Sequence, residues 1–255
     1  MSDLYREQAG EGPPVVLVHA GICDSRMWEP QWHTFPRSHR TIRYDMRGFG
    51  RSSLAPGAFS HGRDLIGLLD ELELERAALI GNSQGGQVAL EVAVAEPQRA
   101  ERLVLVDPGL PGWSWSEETR AGWAEEEAAY ERGDLDAAAD VAVRMWVIGP
   151  GRSAADVDPG LLARVREMQL RALELYRDDA EEQLLVEDLR DRAGEVAAPT
   201  LVLTGEEDRD DMQSVADLLA AEIPNARRAS IPGAAHLPSL ERPAEFDRLV
   251  LDFLA

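Results

Sequence analysis

Lysine is missing from this sequence. All 26 basic residues are arginine, against 47 acidic ones, so the formal net charge is −21 over 255 residues. GC-rich codon usage accounts for such a bias; adaptation of an acidic surface to salt is the other reading. Positive charge is scarce, and a surface this acidic repels phosphate backbones and anionic lipid. Nucleic acid and membrane surfaces are excluded as expected partners. A pocket can differ locally from the whole surface, so a small-molecule substrate stays open.

Cysteine is nearly absent. Cys23 stands alone, which excludes an intrachain disulfide. With no second metal ligand nearby it reads as a small apolar residue. No apolar run is long enough for a membrane span. The N-terminal MSDLYREQAGEG has no basic start followed by an apolar run, so no secretory signal is expected and the expected location is the cytoplasm. No phosphate-binding loop and no cluster with metal-ligand spacing is found, so neither cofactor nor metal is expected. Repeats and low-complexity tracts are also lacking.

What remains is ordinary for a globular chain: 44% hydrophobic and 29% charged residues, enough for one large domain or one domain carrying an insertion. Short apolar runs alternate with longer amphipathic segments. Pro14 to His19 is a continuous apolar run, as in a strand buried on both faces. Thr41 to Tyr44, Ala77 to Gly81 and Arg102 to Val106 follow as strands. Leu65, Leu68, Leu69 and Leu72 recur at helical spacing behind Ser60, a suitable cap. Gln87 to Ala95 reads as a helix stopped by Pro97. The rhythm breaks between about Leu110 and Glu195, where no strand-like run stands out. It resumes with a strand at Thr200 to Thr204, a helix from Met212 to Ile223, a short strand at Arg227 to Ile231 and a closing helix from Pro243 to Leu254. Alternating strands and helices predict an α/β fold, a mostly parallel sheet covered on both faces. The predicted division is a core of 1–109 and 196–255 with a helical cap, 110–195, inserted between two strands and lying over the strand ends.

Gly81-Asn82-Ser83-Gln84-Gly85 sits directly after a strand and directly before a helix. That is Gly-x-Ser-x-Gly in the setting that gives it meaning, a turn so sharp that the flanking positions must be small. Ser83 is the candidate nucleophile, and it needs a base. His33, His39 and His61 lie in polar stretches and read as surface residues. His19 ends a buried strand and reads as structural. Only His236 follows Ser83, as the order serine, acid, histidine requires. Asp208, after the Thr200 to Thr204 strand, is the candidate acid, and Glu206, Glu207, Asp210 and Asp211 around it read as solvated. Asp107 is a rival, since it ends the strand after the nucleophile strand. Two backbone N–H groups should hold an oxyanion. One is that of Gln84; the other is that of Gly21, with Ile22 as the alternative. Ile22, Trp113, Trp115, Trp146 and Leu237 are the candidate pocket residues, although cap aromatics also commonly form core between helices and sheet.

Together these residues resemble the α/β-hydrolase superfamily, in its capped small-molecule branch. The likeness runs over nearly the whole chain: Val16-Leu17-Val18-His19, the Tyr44-Asp45-Met46-Arg47-Gly48-Phe49-Gly50-Arg51-Ser52 stretch, the elbow, and the Asp208 and His236 loops. It implies that residues 45–52 are structural. Ser25-Arg26-Met27-Trp28-Glu29-Pro30-Gln31 and Ala234-Ala235-His236-Leu237 look like the 3-oxoadipate enol-lactonases. The family commonly has His-Gly where this chain has His19-Ala20, and its usual first strand is expected to be missing here. Haloalkane dehalogenases and epoxide hydrolases carry aspartate at the Ser83 position. Carbon–carbon bond hydrolases often have tryptophan where Leu237 stands. The resemblance implies a serine hydrolase acting on an ester or lactone of a small, apolar molecule. Carbon–carbon hydrolysis and cofactor-free haloperoxidase or perhydrolase chemistry on the same triad are alternatives, and a non-enzymatic small-molecule receptor is a third.

Overall fold

The apolar runs assemble into one sheet. The computed structural model describes residues 4–255. Its strands are β1 (Arg6–Ala9), β2 (Pro14–Val18), β3 (Arg40–Tyr44), β4 (Gly57–Phe59), β5 (Ala77–Asn82), β6 (Ala100–Val106), β7 (Ala180–Glu182), β8 (Thr200–Gly205) and β9 (Ala226–Ile231). Seven of them form a sheet in the order β1-β3-β2-β5-β6-β8-β9. β1 runs antiparallel to β3, and the other neighbours are parallel. β5 and β8 are buried at every position, which is why they read as unbroken apolar runs.

The chain crosses from β2 outward to β3, then returns to β5 on the other side of β2. The order therefore reverses between β2 and β5, whose register pairs Val18 with Gly81. At such a switch point the two loops beyond the strand ends diverge and leave a crevice. The turn after β2 and the elbow after β5 stand side by side there.

Two expectations are overturned. The first strand is present as β1, at the sheet edge. Its sequence Arg-Glu-Gln-Ala is polar and mostly half-buried, so no apolar run announces it. It is held by pairing with β3 and by an ion pair between Glu7 and Arg43 at 2.8 Å. A strand also occurs inside the inserted segment: β7 pairs with β4 in a separate two-stranded piece, too short and polar to show periodicity.

Helices cover the sheet. They are α1 (Glu29–Thr34), α2 (His61–Glu71), α3 (Gln84–Ala95), α4 (Glu117–Glu131), α5 (Leu135–Ala142), α6 (Pro159–Leu175), α7 (Leu189–Arg192), α8 (Asp210–Glu222), α9 (Pro238–Glu241) and α10 (Pro243–Leu254). Ser60 caps α2, accepting from the Arg63 N–H at 3.4 Å. Leu65, Leu68 and Leu69 are fully buried against the core. α4 to α6 make the inserted layer, and a π-helical turn, Val143–Ile148, follows α5. By Val186 the chain has rejoined the core, where Val186, Leu189 and Ala193 are buried with α3 residues.

Asp211 on α8 pins this layer down. It accepts from Ser116 Oγ and from Thr119 Oγ1, both at 2.6 Å, at the start of α4. Burial opposes its charge, but these hydrogen bonds prevail and hold the carboxyl below its ordinary value. Asp211 is thus buried and bonded rather than solvated, whereas Glu206, Glu207 and Asp210 are exposed. No described helix is long and apolar enough to cross a membrane.

Candidate active site

Ser83 stands between β5 and α3 with φ 54° and ψ −116°, a left-handed backbone that few side chains tolerate. Its N–H donates to Val106 O at 2.8 Å, and its carbonyl accepts from the Gln87 and Gly109 N–H groups at 3.0 Å. These bonds hold the strain in place. The glycines around it are spatial requirements. A Cβ at Gly81 would lie 2.0 Å from Gly85 O, and one at Gly85 would lie 2.3 Å from Val18 O. Both obstacles are backbone and cannot swing aside. Gly81→Ala is therefore expected to cost about 3 kcal/mol or more. A urea midpoint equal to wild type would refute this.

His236 lies in the loop between β9 and α9. Its Nδ1 meets Asp208 Oδ2 at 2.6 Å, and both residues are buried. With Nδ1 bound to a carboxylate, Nε2 is the remaining ring nitrogen, and the ring lines the same cavity as Ser83. Asn82, beside the serine, donates through Nδ2 to His236 O at 3.1 Å and so ties the histidine loop to the elbow. Asp107 is also fully buried, has φ 40°, and accepts from the Gly205 N–H at 3.2 Å. Burial, then the charge of Asp208, push its carboxyl well above the usual range. Asp107, Asp208 and His236 are the one group of three possible metal donors among the described residues, with ligand atoms within 4.8 Å of one another.

The turn after β2 is closed by Cys23 N–H to Ala20 O at 2.9 Å, which places Gly21 and Ile22 at its centre. A Cβ at Gly21 would sit 2.7 Å from Gln84 Oε1, so this turn abuts the first residue of α3. Gln84 is among the first residues of a helix, whose N–H groups have no partner within it. That helix end also favours negative charge.

Gly21, Ile22, Ser83, Gln84 and His236 line a cavity of about 400 Å³. Trp115 and Trp146 line it as well. Trp146 projects from the π-helical turn, its ring 4.5 Å from that of His236. Two expected pocket residues are elsewhere. Trp113 packs against the core under the Arg190 guanidinium, and Leu237 is fully buried beside α10. Trp123 and Gln169 were not foreseen. Trp123 bridges Trp115 and Trp146, at 5.2 and 6.2 Å between ring centroids. Its only sequence signal was being a third aromatic in a helical segment.

The histidines sort differently from expectation. His19 is structural, as read: Nδ1 donates to Ala20 O and Nε2 accepts from the Met46 N–H, both at 2.9 Å. His39 and His61 are buried rather than on the surface. His61 packs edge-on to Phe59, with Glu182 of β7 4.0 Å away, so the inserted segment covers a polar-looking stretch. Burial, then the neighbouring His19 and Arg47, push the His61 imidazole down to about 3. Because the folded value is depressed, the unfolded chain takes up the proton first, and stability is lost as pH falls below about 6.5. Relative to a His61→Gln variant, wild type is expected to lose about 2 kcal/mol between pH 7 and pH 5. Urea unfolding of both proteins at the two pH values measures this; a constant difference would overturn it.

The Asp45 loop is held as a structural unit. Asp45 Oδ1 and Oδ2 accept from the Ser25 and Arg51 N–H groups at 2.8 Å, and Ser52 Oγ donates to Asp45 O at 2.7 Å.

Against known proteins, the model of the Alpha/beta hydrolase family matches residues 15–249. The chain belongs to the alpha/beta hydrolase family. This hydrolase is 31% identical to a 2-hydroxy-6-oxononadienedioate/2-hydroxy-6-oxononatrienedioate hydrolase of Paraburkholderia xenovorans (strain LB400), over 99% of this chain and 90% of that protein. The structure of the enol-lactonase from Burkholderia xenovorans LB400 is similar at 27% identity and a TM-score of 0.81, covering 98% of this chain and 96% of that one. A thermophilic esterase from Thermogutta terrifontis is similar at 28% identity and a TM-score of 0.83, over 98% and 92%. The likeness to enol-lactonases drawn from sequence is supported by the Burkholderia neighbour. The chain is an enzyme of hydrolytic type.

Proposed function

We propose that this enzyme hydrolyses a carboxylic ester or lactone of a small organic molecule through an acyl-enzyme on Ser83. The observation that carries the reading is the His236–Asp208 pair, bonded at 2.6 Å, with its ring in the cavity that holds Ser83. Asp208 fixes the tautomer and supports the imidazolium as it forms. His236 takes the serine proton through Nε2 as Oγ attacks the carbonyl. The developing oxyanion is held by the N–H groups of Gln84 and of the Gly21 turn, where two preorganised donors are worth a few kcal/mol. His236 then gives its proton to the leaving alkoxide or enolate. Water, deprotonated by the same imidazole, releases the acid.

A second reading has support. The Paraburkholderia relative is named for a dienedioate substrate, so carbon–carbon hydrolysis on the same triad is the alternative. Intact-mass measurement after fluorophosphonate treatment tests the shared premise: one adduct on wild type and none on Ser83→Ala is expected. An unlabelled wild type would overturn it. Comparing a panel of esters and lactones with the dienedioate then separates the two reactions. Faster turnover of the dienedioate would displace the ester reading.

A further inference from the structure

We propose that the space beside Ser83 admits uncharged substrate groups and excludes carboxylates, so that the substrate is an uncharged ester or lactone. This rests on the hydrolytic reading above and specifies its substrate class.

A second chamber, of about 340 Å³, adjoins the cavity of Ser83. Gly21, Gln84 and Gln169 stand in the walls of both, so the two spaces lie on either side of the same residues. The charged residue in the wall of the serine chamber is Glu126. Gln169 Nε2 donates to it at 2.7 Å, yet burial prevails and pushes its carboxyl up. In the second chamber Glu182 accepts from Gln84 Nε2 at 3.3 Å. Glu182 is exposed on its outer side, and partial burial of the carboxyl, then the nearby Glu91, push it up. Gln169 Oε1, in the shared wall, is buried without a hydrogen-bond donor and adds partial negative charge.

A carboxyl that resists ionising marks a place where water and cations solvate negative charge poorly. A substrate carboxylate would meet the same deficit and would face Glu126 or Glu182 as well. The nearby cations are engaged. Arg47, in the second chamber, grips both oxygens of Asp64 at 2.9 and 2.8 Å. Arg209 lies against Trp146, 5.8 Å from its ring centre, and pairs with Glu118 at 3.1 Å. Among the described residues no arginine lines the serine chamber; Trp115, Trp123 and Trp146 form an apolar wall there instead.

The test compares p-nitrophenyl butyrate with p-nitrophenyl hemisuccinate, each kcat/KM divided by the ester's own alkaline hydrolysis rate. The hemisuccinate is expected to be poorer by about 30-fold or more. Glu126→Gln is expected to narrow that ratio about fivefold, and Glu182→Gln serves as a second variant. A wild-type ratio within about threefold, or a ratio unmoved by both substitutions, would overturn the proposal. If neither ester is turned over, the simple-ester reading fails independently of the charge rule. The charge rule is then read from the labelling rates of an uncharged and a carboxylate-bearing fluorophosphonate, where equal rates would overturn it.

Discussion

Ser83→Ala is expected to lower ester kcat/KM by at least about 10⁴-fold while leaving the fold intact. The size follows from what the hydroxyl does. Without Oγ no acyl-enzyme forms, and His236 has no proton to take from a nucleophile. The residual rate then comes from the oxyanion donors and substrate binding alone. The fold should survive because alanine meets the φ of 54° with nearly the same strain as serine, and the bonds by which Ser83 holds the elbow use its backbone atoms only. Loss of turnover with an unchanged urea midpoint is the expected pair of results. Turnover within about tenfold of wild type would mean that water attacks directly and that Ser83 is not the nucleophile.

Much of this arrangement is legible in the sequence, and the reasons are physical. The elbow shows in the sequence because its turn leaves no room for a Cβ at Gly81 or Gly85, which restricts residue type sharply. The central strands show because both faces are covered. β1 was lost because an edge strand with mostly half-buried polar side chains has no distinguishing period. Asp211 looked like one more acid in an acidic loop; its role depends on where α4 begins relative to α8, which is a tertiary fact. The same holds for His61, covered by a strand more than a hundred residues away. The pocket was half-read. Trp115 and Trp146 face the cavity and Trp113 does not, because the residues after Pro111 form an irregular link that helical spacing does not describe.

The sequence favours Asp208 but keeps Asp107 as a rival, since β6 and β8 are neighbours and Asp107 follows the end of β6 as Asp208 follows that of β8. The ring orientation separates them: Nδ1 of His236 is bonded to Asp208. Burial, then the charge of Asp208, push the Asp107 carboxyl well above the usual range. This makes a specific double-mutant prediction. Asp208→Asn is expected to lower kcat/KM about 10³- to 10⁴-fold, because an amide stabilises neither the required tautomer nor the imidazolium. It also removes the charge that helps push the Asp107 carboxyl up. Asp107, with a carboxyl oxygen within 4.8 Å of an imidazole nitrogen, is then the remaining buried carboxyl beside it. Asp107→Asn should therefore cost less than about threefold in wild type but about tenfold or more in the Asp208→Asn background. Equal factors in both backgrounds would show that Asp107 never stands in. A larger loss from Asp107→Asn alone than from Asp208→Asn would make Asp107 the triad acid.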